Sequence, residues 1–208
     1  MKDFTSDELA GYAQRALIIR DLVYVTPRDF DTGERADFGF WSGTGDVSFD
    51  VVDGLTLGTV ARDFTGGGSL LAVGDIPVSD SLSVISTQVS LSPLNTDVES
   101  AVRSYDMRYA PVQIYRALFS NANPRALVAP ARCRFAGFVN TLQLSTPTVG
   151  GSAGAVLNCV GCTNELTRAN TQLRSDESQQ ERHAGDRFFR WVSATGQVQV
   201  AWGQSTTT

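Results

Sequence analysis

With 208 residues, of which 42% are hydrophobic and 19% charged, the chain has enough apolar material for a hydrophobic core without disulfides or a metal. Its formal net charge of −5 argues against a protein whose main affinity comes from neutralising phosphates, because that affinity requires clustered lysine and arginine. The 19 glycines indicate a fold rich in turns, as in β proteins.

The amino-terminal residues predict a short helix. Thr5 and Glu8 have the spacing of a capping box, in which each side chain accepts a hydrogen bond from a free backbone NH at the helix start. Leu9 and Tyr12 follow at helical spacing. Neither this polar segment nor any later run has the apolar length of a signal sequence or a membrane span. We therefore expect a chain that is made and folded in the cytoplasm and does not insert into membranes.

Runs of β-branched and apolar residues, separated by turn residues, predict the strands of the first half of the chain. Asp53 and Gly54 are predicted to form the hairpin turn between the last two of them. The predicted strands cover residues 17–25, 38–41, 47–52 and 55–60.

Three further patterns lie between these strands and the middle of the chain. The Thr-Gly-Gly-Gly-Ser run at 65–69 predicts a tight loop and not a phosphate cradle, because no Gly-Lys-Ser/Thr follows it. Residues 81–92 alternate between apolar and polar but change frame once, which predicts a strand with a β-bulge. Thr96 and Glu99 form a second capping box, which predicts a helix covering an open end of the sheet.

The second half of the chain predicts more strands and one polar excursion. The segment 168–187 is polar and low in β-branched residues, so it is predicted to be extended or helical, and 204–208 is a polar tail. About nine or more strands against two or three short helices predict a mainly β, β-dominated α+β fold. The predicted strands lie around 112–114, 135–139, 142–144 and 155–160, with a final hairpin of 188–192 and 198–202 over Gly196.

The sequence offers little for catalysis or metal binding. His183 is the one histidine and lies in a strongly hydrated stretch, whereas general-base catalysis near neutral pH most often uses histidine. Cys159 and Cys162 form a single C-x-x-C pair and only Cys133 could join them, whereas a structural zinc needs four ligands. No helix signal follows any of the three thiols to lower its pKa. We therefore expect no enzymatic activity, no metal and no cofactor.

Carboxylate pairs and tryptophans leave two alternatives open. Any two of the 22 acidic residues could meet in the fold to hydrolyse a glycosidic bond, but no candidate pair lies in an apolar setting that would raise a pKa. Trp41, Trp191 and Trp202 each lie beside apolar neighbours in a strand-like frame, which favours core packing. A carbohydrate-binding or receptor-binding β module with exposed aromatic side chains remains the alternative function.

Short motifs with consistent order and spacing run through the chain. The carboxyl-terminal ones are L-T-R at 166–168, D-E-S-Q-Q at 176–180, G-D-R-F-F at 185–189 and V-A-W-G at 200–203. Upstream motifs are F-W-S-G-T-G at 40–45, F-T-G-G-G-S-L-L at 64–71 and V-S-L-S at 89–92.

Together these motifs resemble those of a family of phage minor tail proteins, over about residues 36 to 203. Ala184 departs from the pattern, since the family more often has proline there, which leaves the turn less rigid. Larger relatives carry a further carboxyl-terminal module, in some cases with an iron–sulfur cluster. We expect this chain to lack that module and its cluster.

The resemblance implies a fold and a place in a particle. It implies tail-tube-like β-barrel domains, with residues 1–208 as one unit of two intertwined barrel subdomains. It further implies a hub ring of the tail tip or baseplate, in which a trimer is favoured over a hexamer. Such a ring joins the tail tube and distal tail ring to the central tip or fibre proteins. The protein would be assembled in the bacterial host cytoplasm and reside in the virion, with DNA only passing through the lumen.

Two segments are predicted to contact other subunits or neighbouring tail proteins. They are 53–69 and 168–186, which we expect to be partly mobile in the isolated chain and ordered in the tail. Charged side chains would supply register and specificity more than affinity. The predicted contact residues are Arg168, Arg174, Asp176, Glu177, Arg182, Asp186 and Arg187.

Overall fold

The chain divides into two units, Met1–Thr167 and Arg168–Thr208. Among the described residues, strands dominate and the helices are short, which confirms the predicted mainly β fold. That the chain holds two intertwined barrel subdomains stays a prediction. The computed structural model describes residues 4–78, 83–92, 95–146, 148, 153–167, 169 and 173–196.

Every strand of the described residues lies in the first unit. Within the described residues they are β1 (Ile18–Val25), β2 (Arg28–Asp29), β3 (Phe38–Trp41), β4 (Val47–Val52), β5 (Thr59–Phe64), β6 (Leu70–Val73), β7 (Ser86–Leu91), β8 (Tyr105–Asp106), β9 (Pro111–Phe119), β10 (Ala131–Ser145) and β11 (Gly154–Gly161).

The helices lie in both units, and the described residues contain more of them than the two or three predicted. They are α1 (Ser6–Tyr12), α2 (Thr96–Ser104), α3 (Asp176–Arg182), the four-residue α4 (Val192–Thr195) and a 3-10 helix (Cys162–Thr167).

Nine strands form one sheet that nearly closes into a barrel. Its main order is β3-β1-β9-β10-β11-β7-β6, while β4 pairs with both β10 and β5. A parallel bridge between Phe40 and Thr65 joins β3 to the residue that follows β5. The strands β1, β9, β10, β4, β5 and β3 thus complete a ring. The short strands β2 and β8 pair separately.

The strands at the centre of the sheet serve two hydrophobic cores, because successive side chains of a strand point to opposite faces. In β1, Leu22 packs in the core inside the barrel and Val23 in the core on the other face. In β3, Trp41 packs in the core inside the barrel and Phe40 in the core on the other face. The core on the other face of the sheet also contains buried side chains from α2, β7 and β11, which confirms that α2 covers the sheet.

Four elements differ from the sequence predictions. The cap of α2 is Asn95, whose side chain accepts from two backbone NH groups, so the predicted Thr96 box begins one residue too late. The strand predicted at 55–60 is β5, displaced to Thr59–Phe64. The two strands predicted around 135–144 are the single strand β10, which continues through two register shifts. Residues 188–191 form turns and Val192 begins α4, so 188–192 is not a strand, and the predicted partner strand 198–202 lies outside the described residues.

The capping box of α1 is present and also anchors a buried ion pair. The Thr5 NH donates to Glu8 Oε2 at 2.7 Å, and the Glu8 NH donates to Thr5 Oγ1 at 3.3 Å. The same carboxylate is 5% exposed and accepts from Arg132 Nε at 2.5 Å and Nη2 at 2.6 Å. Since Arg132 belongs to β10, this pair ties the amino-terminal helix to the barrel.

We expect Glu8→Gln to lower the free energy of unfolding by about 3 kcal/mol near neutral pH, and by less than half of that near pH ~3. The hydrogen bonds from Arg132 hold the pKa of Glu8 at about 2, below its ordinary value of 4.5. The ionised form therefore stabilises the fold above pH 4.5, and this contribution is lost as the pH falls toward 2. Urea unfolding at both pH values measures the effect.

Asp7→Asn is the matched control, because it removes an exposed carboxylate from the same first turn. It should change the free energy of unfolding by less than about 0.5 kcal/mol. An equal loss for Glu8→Gln at the two pH values would contradict the assigned ion pair.

Candidate interaction surfaces

The predicted contact residues cluster around one short helix of the second unit. Asp176 and Glu177 lie in the first turn of α3 and Arg182 in its last turn. Asp186 and Arg187 follow the turn at Gly185, whose φ of +89° favours glycine. Arg174 precedes the helix, and Arg168 lies outside the described residues.

Hydrogen bonds between side chains hold this cluster together. Arg187 Nη1 donates to Asp176 Oδ2 at 2.9 Å, and Gln179 Nε2 donates to Asp186 Oδ2 at 2.5 Å. Arg182 Nη2 donates to Gln179 Oε1 at 2.9 Å. The Gln179 amide, with the backbone NH of Phe188, also lowers the pKa of Asp186. The two motifs at 176–180 and 185–189 are thereby bonded to each other.

This network limits what the predicted residues can offer to a partner. Asp176, Asp186, Arg182 and Arg187 have partners inside their own unit, and their role between subunits stays a prediction. The sequence does not predict the bonds between α3 and the residues after Gly185. It does allow one bond to be predicted, because Asp176 and Gln180 are four positions apart on a helix, and their side chains are bonded at 2.5 Å.

The second unit exposes apolar side chains instead of burying them. None of the described residues 173–196 is buried. Phe188 is 79% and Trp191 66% exposed, and the guanidinium carbon of Arg190 lies 4.9 Å from the Trp191 ring centroid. The prediction that Trp191 packs in a core is therefore wrong. We call the exposed aromatic residues Phe188 and Trp191, three positions apart in the sequence, the aromatic face of this unit.

The other predicted contact segment, 53–69, is mostly anchored in the barrel. Asp53 is 7% exposed and accepts from Arg62 Nη2 at 2.5 Å and Gln113 Nε2 at 3.0 Å. Its other oxygen accepts from the backbone NH groups of Leu55 and Thr56 at 2.8 and 2.9 Å. This side chain organises a loop from Asp53 to Gly58, which is longer than the predicted two-residue turn.

The electrostatics of Asp53 follow from these contacts. Burial raises the pKa of its carboxyl, but the Thr56 and Leu55 NH groups, the Gln113 amide and the Arg62 guanidinium outweigh burial and lower that pKa to about 2. The carboxylate is therefore ionised at neutral pH and fixes the base of the loop. Leu55 and Leu57, 68% and 76% exposed, remain as its accessible tip. A contact between subunits at this tip stays a prediction.

The cysteines and the histidine are spread over the fold, and the two thiols in or near the core have raised pKa values. Burial raises the pKa of Cys133 to about 11 and that of Cys159 to about 12, so both thiols are protonated at neutral pH. Cys162 is exposed at the start of the 3-10 helix, and His183 is exposed at the end of α3. Among the described residues, no three His, Cys, Asp or Glu side chains group to hold a metal ion.

The helices of the described ranges are all too short and too polar to cross a membrane. Three helices of the described residues have seven or more residues, and the longest, α2, has nine.

Comparisons with known proteins show a shared fold. The sequence matches no protein-family model, and the search of curated proteins found no significant match. The fold is similar to that of a chain in a structure described as "Virion of native gene transfer agent (GTA) particle". The TM-score is 0.53 at 17% sequence identity, and the match covers 82% of this chain and 49% of that one. The chain thus spans about half the length of its structural neighbour.

Proposed function

We propose that this chain is a structural subunit of a phage-like virion, a hub ring of the tail tip or baseplate. It joins the tail tube and distal tail ring to the central tip or fibre proteins. The observation that carries the proposal is the shared fold, which extends over most of this chain and belongs to a component of a virus-like particle. The motifs between residues 36 and 203 support the more specific placement at the tail tip.

The second unit supports a role in assembly. A segment that buries none of its described residues 173–196 gains little from the hydrophobic effect by itself. The side-chain network around α3 nevertheless bonds Asp186 and Arg187 to the helix, and the Phe188 NH donates to Asp186 at 3.0 Å. Aromatic and arginine side chains on a preformed surface are the residues that contribute most to protein interfaces. The second unit is therefore the part of the chain that we assign to contacts in the tail.

The number of copies, the place of assembly and the net charge complete the proposed role. A ring of three copies is favoured over six, and the protein is assembled in the host cytoplasm before it resides in the virion. The net charge of −5 suits a lumen through which DNA passes without binding. The chain acts by assembly and not by catalysis, and raised thiol pKa values at Cys133 and Cys159 support this view.

Particles made without this chain test the proposal. We expect electron microscopy to show tails that lack a tip or fail to complete, because neighbouring proteins lose the ring that joins them. Complementation with the intact chain should restore complete tails. Structurally complete tails in its absence would overturn the hub assignment.

A second candidate is a receptor-binding or carbohydrate-binding β module of the tail tip. The exposed Phe188 and Trp191 favour it, because aromatic faces stack on sugars as well as on proteins. In this case particles that lack the chain would have complete tails but would not adsorb to cells. The same micrographs, combined with an adsorption assay, therefore separate the two functions.

A further inference from the structure

Three arginines of the first unit line one surface cavity. Arg28, Arg35 and Arg108 are all exposed and surround a volume of about 270 Å³. Arg28 and Arg35 face each other across an antiparallel bridge. We call this feature the arginine cavity.

The nearby carboxylates form no ion pair with these arginines among the described residues. Within the part of the chain that the structure describes, none of the three guanidinium groups forms an ion pair. Asp106 also lines the cavity, but its carboxylate accepts the backbone NH of Arg108 at 2.9 Å. Asp29 accepts the backbone NH groups of residues 31 and 32 at 2.8 and 2.9 Å.

Arginines without an ion-pair partner favour a bound anion, and the contact of the Arg108 guanidinium carbon with the Tyr109 ring, 5.2 Å from its centroid, leaves the charge in place. Like charges placed directly opposite each other across paired strands destabilise the pair, and Arg28 and Arg35 are such a pair. A carboxylate between them would remove the repulsion. The planar guanidinium fork suits a carboxylate, because it donates two parallel hydrogen bonds to the two oxygens.

An acidic cleft lies directly beside the arginine cavity. Its volume is about 520 Å³, and Phe38 and Phe64 form part of its wall. Thr26 lines the arginine cavity, and its hydroxyl donates to Asp37 of the cleft at 2.9 Å, so the two features are contiguous. The carboxylates of the cleft are exposed and belong to Asp37, Asp46, Asp63 and Asp97.

We propose that the arginine cavity of one copy binds the carboxylates of the acidic cleft of a second copy of this chain. Charge complementarity selects this partner, because one surface presents both signs side by side and a second copy presents the matching pattern. When the arginine cavity of each copy binds the acidic cleft of the next, the contact is head-to-tail and generates a ring if the rotation between copies closes. A long polyanion such as DNA fits less well, since the adjacent aspartates would repel its continuing backbone.

This inference deepens the proposed function, since a ring requires contacts between copies, and charge reversal tests it. One variant carries Arg35→Asp and Arg108→Asp, and the other carries Asp46→Arg and Asp63→Arg. Sedimentation of the full chain at low salt measures self-association. We expect each variant alone to associate at least about 10-fold more weakly than the unaltered chain, as for the loss of close charge pairs.

An equimolar mixture of the two variants should restore association, because each supplies the surface that the other has lost. Association of the unaltered chain should weaken in about 1 M salt, where the Debye length is about 3 Å. The control is Asp50→Arg with Asp75→Arg, which makes the same charge change as the cleft variant at exposed positions outside both features. We expect the control to associate like the unaltered chain.

Three results would overturn the inference: a monomeric unaltered chain, variants that associate normally by themselves, or a mixture that does not restore association. None of these results removes the chain from the virion, so the proposed function would stand if the chain is still found in purified tails.

Thermal unfolding checks that the arginine variant folds. Because removal of like charges relieves repulsion, it should be at least as stable as the unaltered chain.

Discussion

Trp41→Ala should lower the free energy of unfolding of the first unit by about 3–5 kcal/mol, the usual cost of truncating a buried aromatic side chain. Trp41 is 2% exposed and fills the core inside the barrel. Its ring stacks on Phe119 with centroids 5.9 Å apart and meets the edge of Phe49 at 5.6 Å. Its indole NH donates to the Gly45 carbonyl at 2.8 Å, and that acceptor would lose its partner.

The matched control for this prediction is Trp191→Ala. The same substitution at a side chain that is 66% exposed should change the free energy of unfolding by less than about 0.5 kcal/mol. Urea unfolding followed by circular dichroism is the measurement, because tryptophan fluorescence is itself altered by both changes. If the two substitutions cost the same, the assignment of Trp41 to the barrel core and Trp191 to the surface is wrong.

The second large effect is expected on the incorporation of the chain into tails. Deletion of residues 170–183 should leave a folded, soluble chain that fails to incorporate into tails. The deletion removes α3 and with it the partners of Asp186 and Arg187, so the segment that carries Phe188 loses its bonds to the helix. Quantitative mass spectrometry of purified particles measures incorporation. A deletion variant that assembles into infectious particles would show that the segment is dispensable, and one that unfolds would show that it is part of the core.

A double substitution tests the aromatic face while leaving α3 in place. Phe188→Ser with Trp191→Ser should weaken the binding of this chain to its neighbours in the tail at least about 30-fold. That is the effect expected when one or more interface residues worth about 2 kcal/mol each are lost. Val78→Ser is the control, because it removes an apolar side chain that is 95% exposed in the first unit. Normal incorporation of the double variant would exclude the aromatic face as the contact.

Local sequence signals predicted those elements whose interactions are local. The capping box of α1 needs only Thr5 and Glu8, three residues apart, and both hydrogen bonds are present. Strands β1, β3 and β4 were predicted to within one residue, because their alternating apolar side chains and the turns between them stand in the sequence itself.

The errors arise where distant residues decide the local structure. The strand predicted at 55–60 begins late because Asp53 captures two backbone NH groups, and Asp53 is in turn held by Gln113, 60 residues away. Residues 188–192 have the composition of a strand, but their backbone forms local hydrogen bonds, such as Val192 NH to the Phe189 carbonyl at 3.1 Å. A strand requires a partner strand, and composition does not identify one.

The interaction surfaces were predictable only in part. The polar motifs predicted contacts for the second unit, which stays a prediction, but they did not reveal the bond that joins Gln179 to Asp186. The arginine cavity could not be predicted, because Arg28 and Arg108 are 80 positions apart and are brought together by the pairing of β2 with β8.

Electron cryomicroscopy of purified particles tests the central claim most directly. If the chain is a hub ring, density that fits residues 4–78 and their paired strands will repeat around the axis at the distal end of the tail, between the tube and the central tip. Absence of the chain from particles, or its presence only as single peripheral copies away from the tail axis, would contradict the account.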